Sequence, residues 1–137
     1  MTPTRLLLDT GVLIGLFNRK DPDHEITKQG FAALEDARAR LIAPAAVVLE
    51  VSKRLLFDVN ATAMQTGTDA MLEMLDVLNT TPATLRDALE LIQGMKGWGA
   101  TLEDAIVMNT ALALDAPVWT INYRDFAAVK KLRFWTP

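Results

Sequence analysis

The sequence predicts an α/β fold in which a mostly parallel sheet is covered by helices on both faces. Short apolar runs with strand character alternate along the chain with longer segments whose apolar residues recur at helical spacing. This alternation requires crossover connections, which make successive strands parallel and place helices on the sheet. Half of the 137 residues are hydrophobic and 23% are charged, so we expect one folded domain over residues 1–137.

The N-terminal part of the chain is predicted to hold two strands and three helices. Residues 5–8 are uniformly apolar after Arg5, as in a buried parallel strand, and Asp9 ends the run. Proline suits the first turn of a helix, which makes Pro22 and Pro44 markers of helix starts. The predicted elements are a strand at 5–8, a helix at 12–17, a helix from Asp21 to about Arg40, a strand at 41–43 and a helix from Pro44.

The C-terminal part should continue the alternation. A helix carries a methionine-rich stripe at Met64, Met71 and Met74, which is typical of core packing. Threonine before the next two helices is a favourable N-cap. The predicted elements are a strand within 77–81, a helix from Thr81 to about Gly94, a central helix from Thr101 to about Asp115, a strand at 118–121, a turn with a short helix at 122–129 and a final strand at 132–135.

Composition limits the possible functions. The chain has no cysteine, which excludes thiolate metal sites, disulfides and cysteine nucleophiles. The net charge of −3 argues against nucleic-acid binding by bulk positive charge alone, but not against an enzyme that acts on nucleic acid. Asp9 interrupts the longest N-terminal apolar run before it could span a membrane, so we expect a cytoplasmic protein that does not enter the membrane.

Four carboxylates interrupt apolar segments near predicted element boundaries: Asp9, Glu50, Asp104 and Asp125. In a parallel sheet, the ends of the strands and the starts of the following helices meet at one edge, so all four acids can reach a common pocket. A carboxylate cluster without histidine or cysteine suits Mg²⁺ or Mn²⁺, which prefer oxygen ligands. Such a site can hydrolyse a phosphodiester by activating a water molecule.

Each acid also has a local structural explanation. Asp9 could be a polar stop or N-cap after the strand, and Glu50 has basic residues at i+3 and i+4 that could form an exposed ion pair with it. Asp104 with Thr101 resembles a capping box, which is compatible with a ligand role. Asp125 could pair with a neighbouring basic residue on the surface.

Two further features have open interpretations. His24, the single histidine, is predicted to be a surface or packing residue. Residues 94–100 contain three glycines and should form a loop, in which Lys96 and Trp98 could contact a phosphate and stack on a base. The alternative for this loop is a flexible connector with a packed tryptophan.

Four strings resemble, in order and spacing, the PIN-domain nucleases. They are RLLLDTGVLIGLF, PAAVVLEVSKRL, LEDAIVMNTALALDAPVWT and TINYRDF, and the small toxins of bacterial VapBC toxin–antitoxin pairs are especially similar. The resemblance covers essentially the whole chain. It implies a three-layer α/β/α sandwich, metal-dependent ribonuclease activity on RNA, frequent homodimers and inhibition by a cognate antitoxin protein.

The resemblance also assigns site residues. Asp9, Glu50 and Asp104 match the first three acids of the family. At the fourth position many members have aspartate, whereas this chain has Asn122, followed three residues later by Asp125. These five residues are the predicted ligands of Mg²⁺ or Mn²⁺, the four acids are the predicted catalytic residues, and Thr10 is expected to orient the carboxylate of Asp9.

The sequence therefore predicts a metal-dependent endoribonuclease, and more narrowly the toxin of a toxin–antitoxin pair. The main alternative is a catalytically weakened PIN-like module that binds an antitoxin helix or RNA without cleaving it. A phosphoaspartyl phosphatase or receiver domain would also place an aspartate after a parallel strand. Asp9 is followed by Thr10, Gly11 and Val12, without the second acid that such phosphatases need.

Overall fold

The computed structural model describes residues 1–97 and 99–137. Strands and helices alternate as the sequence predicts, with two helices in each connection between successive strands. In chain order the elements are β1 (Arg5–Leu8), α1 (Thr10–Phe17), α2 (His24–Asp36), β2 (Arg40–Pro44), α3 (Ala45–Asp58), α4 (Ala61–Met74), β3 (Asp76–Leu78), α5 (Pro82–Gln93), α6 (Leu102–Leu114), β4 (Val118–Trp119) and α7 (Tyr123–Phe126).

The four strands form one parallel sheet in the order β3-β2-β1-β4. Leu6, Leu7 and Leu8 of β1 are each 0% exposed. Successive side chains of a strand point to opposite faces, so complete burial of all three means that both faces of the sheet are covered. The predicted α/β/α sandwich with a parallel sheet is confirmed.

Helix α6 is central, as its apolar sequence predicts. It packs against β1, β2 and β4, and Ile106, Val107 and Met108 are at most 1% exposed. Burying a side chain of this size stabilises the fold by about 1.5–3 kcal/mol relative to leaving it in water. This packing fixes the start of α6, where Asp104 lies, against the middle of the sheet.

The strand order gives the sheet a switch point. The chain builds β1, β2 and β3 towards one side, and α5 and α6 then return it to β4 on the other side of β1. Open α/β sheets bind ligands in the crevice beyond the strand ends at such a reversal. In this sheet the crevice lies beyond β1 and β4.

Several boundary predictions differ from the structure. The fourth strand, predicted at 118–121, is Val118–Trp119, and the short helix predicted within 122–129 is Tyr123–Phe126. The predicted final strand at 132–135 is wrong, because that segment forms one isolated parallel bridge, between Phe134 and Val118. Strand β4 is two residues long and offers little edge for further pairing. Helix α2 ends at Asp36 rather than near Arg40, since Arg38 has a left-handed backbone with φ 53° and β2 begins two residues later.

The apolar faces of two helices were predicted only in part. Helical spacing predicts a buried face of Leu85, Ala88, Leu89 and Ile92 on α5, and one of Val48, Val51, Leu55 and Leu56 on α3. Leu85 and Leu89 of α5 are 42% and 48% exposed, and Ala88 is the residue that α5 buries. Helix α5 packs mainly against α6, so it needs a narrower buried stripe than a helix lying on the sheet. On α3, Leu56 is 39% exposed and Val47 is buried in its place. Across the described ranges, no helix is long and apolar enough to cross a membrane.

Candidate functional site

Asp9 lies where β1 ends and α1 begins. Its Oδ1 accepts a hydrogen bond of 2.8 Å from the backbone N–H of Thr10, and its Oδ2 accepts one of 2.7 Å from Oγ1 of Thr120. The residue is 3% exposed and caps the N-terminus of α1. The cap predicted from the sequence is therefore present, and the second hydrogen bond ties the carboxylate to the end of β4.

Glu50 reaches the same crevice from the second turn of α3. Its Oε2 accepts a hydrogen bond of 2.9 Å from Oγ1 of Thr10. The basic partner that could have explained Glu50 as half of an ion pair is engaged elsewhere, since Nε of Arg54 lies 3.1 Å from Oδ2 of Asp58. Thr10 thus contacts two acids, Asp9 through its backbone and Glu50 through its hydroxyl.

Asp104 lies in the first turn of α6 and forms the predicted capping box. The backbone N–H of Thr101 donates to Oδ2 of Asp104 over 3.0 Å, and the N–H of Asp104 donates to Oγ1 of Thr101 over 3.2 Å. Asp104 nevertheless faces the crevice as well, since it lines the same pocket as Asp9 and Glu50. The capping role and a functional role are compatible in this geometry.

The fourth position is divided between two residues. The backbone N–H of Asn122 donates to Oγ1 of Thr120 over 2.9 Å, and its side-chain Nδ2 donates to Oδ2 of Asp125 over 2.9 Å. Asn122 lines the acidic pocket, whereas Asp125 lines a neighbouring depression that shares Asn122 with it. The structure therefore brings Asp9, Glu50, Asp104 and Asn122 together and places Asp125 just beyond them.

The pocket itself is small and open, with a volume of about 280 Å³. Its wall between α1 and β4 is formed by Gly11 and Ile121. A Cβ at position 11 would stand 3.0 Å from Cγ1 of Ile121, which is closer than most side-chain contacts. Glycine here lets the chain after β4 pass close to the start of α1.

Burial and neighbouring charge raise the pKa of Asp9 from 3.8 to about 7. Burial contributes most, followed by the charge of Asp104, and the charge of Glu50 adds a smaller increase. The hydrogen bonds from Thr120 and Thr10 act in the opposite direction and lower this pKa. Two donors are thus insufficient to balance the negative charge that the fold gathers here.

The other two acids are shifted in the same direction. Burial raises the pKa of Glu50, against the hydrogen bond from Thr10, and the charges of Glu103 and Asp104 raise it further. Burial also raises the pKa of Asp104, against its hydrogen bonds with Thr101, and Asp125 adds to the increase. A bound cation would relieve the repulsion that all three acids share.

The donor chemistry fits a hard divalent cation. Every candidate ligand is a carboxylate or an amide oxygen, which are the donors that Mg²⁺ and Mn²⁺ prefer. Within the described residues, no group of three Asp, Glu or His side chains is close enough to hold one ion in this conformation. Mg²⁺ usually keeps several water ligands and uses one or two carboxylates directly. The arrangement therefore fits an ion held partly through water.

Thr120 was not identified as a site residue from the sequence. It is 1% exposed and bonds to both Asp9 and Asn122. The sequence feature that could have identified Thr120 is a hydroxyl side chain directly after β4, the strand that pairs with β1.

His24 lies outside the pocket, where its Nδ1 is 2.8 Å from the carbonyl oxygen of Gly15, consistent with a packing role. The interpretation of Trp98 lies outside the described residues.

Comparisons with known proteins support the fold and identify the family. Solved structures with a similar fold include the toxin VapC20 of Mycobacterium tuberculosis, described as cleaving the sarcin–ricin loop (TM-score 0.82, 16% identity, covering 96% of this chain and 99% of that one). VapBC-1 of nontypeable Haemophilus influenzae matches with TM-score 0.69, 21% identity and coverage of 96% and 97%. A toxin–antitoxin complex from Klebsiella pneumoniae matches with TM-score 0.66, 24% identity and coverage of 93% and 94%.

Sequence comparison gives the family assignment. No curated protein matches the chain. The family model described as PIN domain, however, matches residues 6–132, which is nearly the whole chain and includes all of the acids discussed above. The chain therefore belongs to the PIN-domain family.

Proposed function

We propose that the protein is a metal-dependent endoribonuclease and acts as the toxin of a toxin–antitoxin pair. The observation that carries this proposal is the buried carboxylate of Asp9, which shares one pocket with Glu50 and Asp104 and has its pKa raised to about 7. A fold gains nothing in stability from such uncompensated charge, so a role in binding a cation explains it best. Membership of the PIN family, whose members are generally nucleases, supports the same activity.

Each site residue has a proposed role. Asp9, Glu50 and Asp104 are ligands of Mg²⁺ or Mn²⁺, directly or through water, and Asn122 or Asp125 completes the set. A bound ion of this type lowers the pKa of an attacking water and neutralises charge on the phosphate. Thr10 holds the carboxylates of Asp9 and Glu50 at a fixed separation, and Thr120 keeps Asp9 at the end of β1.

The proposed substrate is single-stranded or structured RNA. Support comes from VapC20, which is described as a toxin that cleaves the sarcin–ricin loop and which matches this chain over nearly its full length. No protein nucleophile is required, since water attacks the phosphorus and the leaving oxygen departs on the other side.

A protein partner is also proposed. Several solved structures with this fold are complexes of a toxin with its antitoxin. In this chain, α3 carries an exposed apolar face formed by Leu49, Leu56 and Phe57, which are 71%, 39% and 74% exposed. Apolar side chains gathered on one helix face favour a partner surface. We propose a cognate antitoxin and a homodimer as partners, and the cytoplasm as the place of action.

Cleavage of RNA by the purified protein tests the activity. Cleavage should require Mg²⁺ or Mn²⁺, stop in EDTA and return when the metal is restored. Asp104→Asn should abolish it, while Asp69→Asn, which changes an exposed acid on α4, should leave it intact. Equal cleavage by Asp104→Asn and wild type would contradict the assignment.

The partner proposal needs a separate test. The product of a small neighbouring upstream gene should co-purify with the chain and suppress cleavage, and light scattering should report a dimer of the isolated chain. Phe57→Ser should weaken either antitoxin binding or dimer formation. It should leave the chain folded, because substitutions at exposed positions usually change stability by less than about 0.5 kcal/mol. A monomer that binds no upstream product would contradict this part of the proposal.

A second function is favoured by one observation. Asn122 replaces a carboxylate at the fourth position and is hydrogen-bonded to Asp125 rather than free to move, which weakens the metal site. A PIN module that binds RNA or an antitoxin helix without cleavage would have this feature. Calorimetric titration with Mn²⁺ separates the two functions, since no binding at millimolar metal would favour the non-catalytic module.

A further inference from the structure

Two depressions adjoin the acidic pocket, and each is lined by two basic side chains. One, with a volume of about 360 Å³, is lined by Lys53 and Arg54 and shares Glu50 and Arg54 with the pocket. The other, about 480 Å³, is lined by Lys96 and Arg124 and shares Asn122 with the pocket. Each depression shares lining residues with the acidic pocket, so the three adjoin one another, and we refer to them together as the groove.

We propose that this groove is the track of a single RNA strand, held by Lys53 and Arg54 on one side of the acids and by Lys96 and Arg124 on the other. The proposal rests on the proposed ribonuclease function and adds to it the residues that hold the substrate. The sequence alone does not indicate that the two basic pairs act together, because Arg54 and Lys96 are 42 positions apart.

The first basic pair is positioned by helix geometry. Lys53 and Arg54 follow Glu50 by three and four residues, which places them one turn away on the same side of α3. Arg54 also lines the acidic pocket itself, together with Glu50. Its ion pair with Asp58 joins two side chains that are 52% and 45% exposed. An exposed pair is worth about 0–1 kcal/mol, so a phosphate can displace Asp58.

The second basic pair lies between the loop before α6 and helix α7. Lys96 and Arg124 are both exposed. Gly97 next to Lys96 has φ 71°, a left-handed backbone conformation that favours glycine. Lys96 lines the second depression itself, so its ammonium is within reach of a phosphate bound there.

The charge pattern and the proposed ribonuclease function together favour RNA over an acidic peptide. The chain carries a net charge of −3, so phosphate binding depends on local cations rather than on the overall field. Acids at the centre of the groove, with Glu103 and Asp125 beside them, repel carboxylate and phosphate alike, and it is the proposed ribonuclease function that places a phosphate there. A phosphate at the centre is compensated by the divalent ion that the proposed function requires, with the two basic pairs holding its neighbours.

The test uses a non-cleavable oligonucleotide, so that binding is measured apart from catalysis. Binding of a fluorescent 2′-O-methyl single strand to the full chain is followed by anisotropy across a range of salt concentrations, with Mn²⁺ and with EDTA. Each phosphate contact to a single strand contributes about 0.7 to the slope of log K against log salt. Lys53→Gln/Arg54→Gln and Lys96→Gln/Arg124→Gln should each lower that slope by about 1.4, since each removes two contacts.

The matched control is Lys28→Gln/Arg38→Gln. These two exposed residues line a depression beside α2 that shares no lining residue with the groove, and the variant makes the same change in charge. The control should keep the wild-type slope. All six residues are exposed, so the variants should fold, which circular dichroism checks.

Several outcomes would overturn the proposal. It fails if the wild type does not bind the oligonucleotide, if the control lowers the slope as much as the groove variants, or if the groove variants bind as the wild type does. Binding of a polyglutamate peptide that depends on both basic pairs, with RNA binding unchanged, would identify an acidic protein segment as the occupant instead. If the wild type binds the oligonucleotide as expected but cleaves no RNA, the nuclease assignment is refuted and the proposed RNA track is retained.

Discussion

Thr120 donates a hydrogen bond of 2.7 Å from its hydroxyl to Oδ2 of Asp9, although 111 residues separate the two in sequence. The bond joins the end of β4 to the end of β1 at the point where the strand order reverses. The same hydroxyl oxygen accepts the backbone N–H of Asn122 over 2.9 Å. One buried side chain therefore sets the relative positions of the first and fourth site residues.

Replacing Thr120 by valine should remove both hydrogen bonds while keeping the side-chain shape. Asp9 loses a donor to its carboxylate, so we expect destabilisation of about 1–3 kcal/mol and a fall in Mn²⁺ affinity of roughly 10–100-fold. Urea unfolding and calorimetry measure the two effects. Thr120→Ser keeps the hydroxyl and should retain most of the metal affinity. Wild-type Mn²⁺ binding by Thr120→Val would show that this bond does not support the site.

Replacing Thr10 by valine should separate Glu50 from Asp9. The backbone N–H of residue 10 still bonds to Asp9, but Glu50 loses the hydroxyl donor that lowers its pKa. We expect RNA cleavage to fall by roughly 10–100-fold, as for other residues that orient metal ligands. Thr10→Ser is the control and should remain active. A fully active Thr10→Val variant would mean that Glu50 acts without this bond.

The metal-free protein should lose stability as the pH rises from about 4 to about 7. The pKa of Asp9 is 3.8 in an ordinary environment and about 7 in the fold, so the folded state binds more protons than the unfolded state in this range, and its free energy of unfolding falls as those protons are lost. Asp9→Asn should weaken this dependence, to which Glu50 and Asp104 also contribute, and should stabilise the metal-free protein at pH 8 by roughly 1–3 kcal/mol.

Thermal unfolding in EDTA at several pH values measures this effect, with Asp69→Asn as the control. Mn²⁺ should reverse the trend, because a cation binds the ionised carboxylate and stabilises the folded state. The electrostatic description of the pocket would be contradicted if stability in EDTA rose between pH 4 and pH 7 and if Asp9→Asn had the same pH dependence as the wild type.

Replacing Asp58 by asparagine should strengthen binding of a single-stranded oligonucleotide. The change releases Arg54 from its ion pair, and the surface cost is at most about 1 kcal/mol because exposed pairs contribute little. Anisotropy at low salt measures the effect, and Asp69→Asn again serves as the control. Weaker binding by Asp58→Asn would indicate that Asp58 positions Arg54 for the strand rather than competing with it.

The sequence predicted the elements around the site well because local patterns determine them. The apolar run of β1, the proline before α3 and the threonine before α6 each mark a boundary, and parallel topology then brings Asp9, Glu50 and Asp104 to one edge. The predicted final strand was wrong because pairing depends on the length of a distant neighbour, β4.

The capping hydrogen bonds of Asp9 and Asp104 were predicted from the sequence, but two other contacts of the site could not be predicted in the same way. The choice of Arg54 between Glu50 and Asp58 depends on side-chain geometry, since both acids lie four residues from it on α3. The contact between Thr120 and Asp9 depends on which strands are neighbours. The spacing of residues along the chain indicates neither the side-chain geometry of Arg54 nor which strands are neighbours.

The most direct test of the central claim is RNA cleavage by the purified chain after EDTA treatment and restoration of Mn²⁺, compared between wild type and Asp9→Asn. Calorimetry on the same samples reports whether Mn²⁺ binds. The wild type should bind Mn²⁺ and cleave, whereas Asp9→Asn should remain folded and do neither. Metal-dependent cleavage of equal rate in both proteins, or cleavage by the wild type that continues in EDTA, would contradict the account.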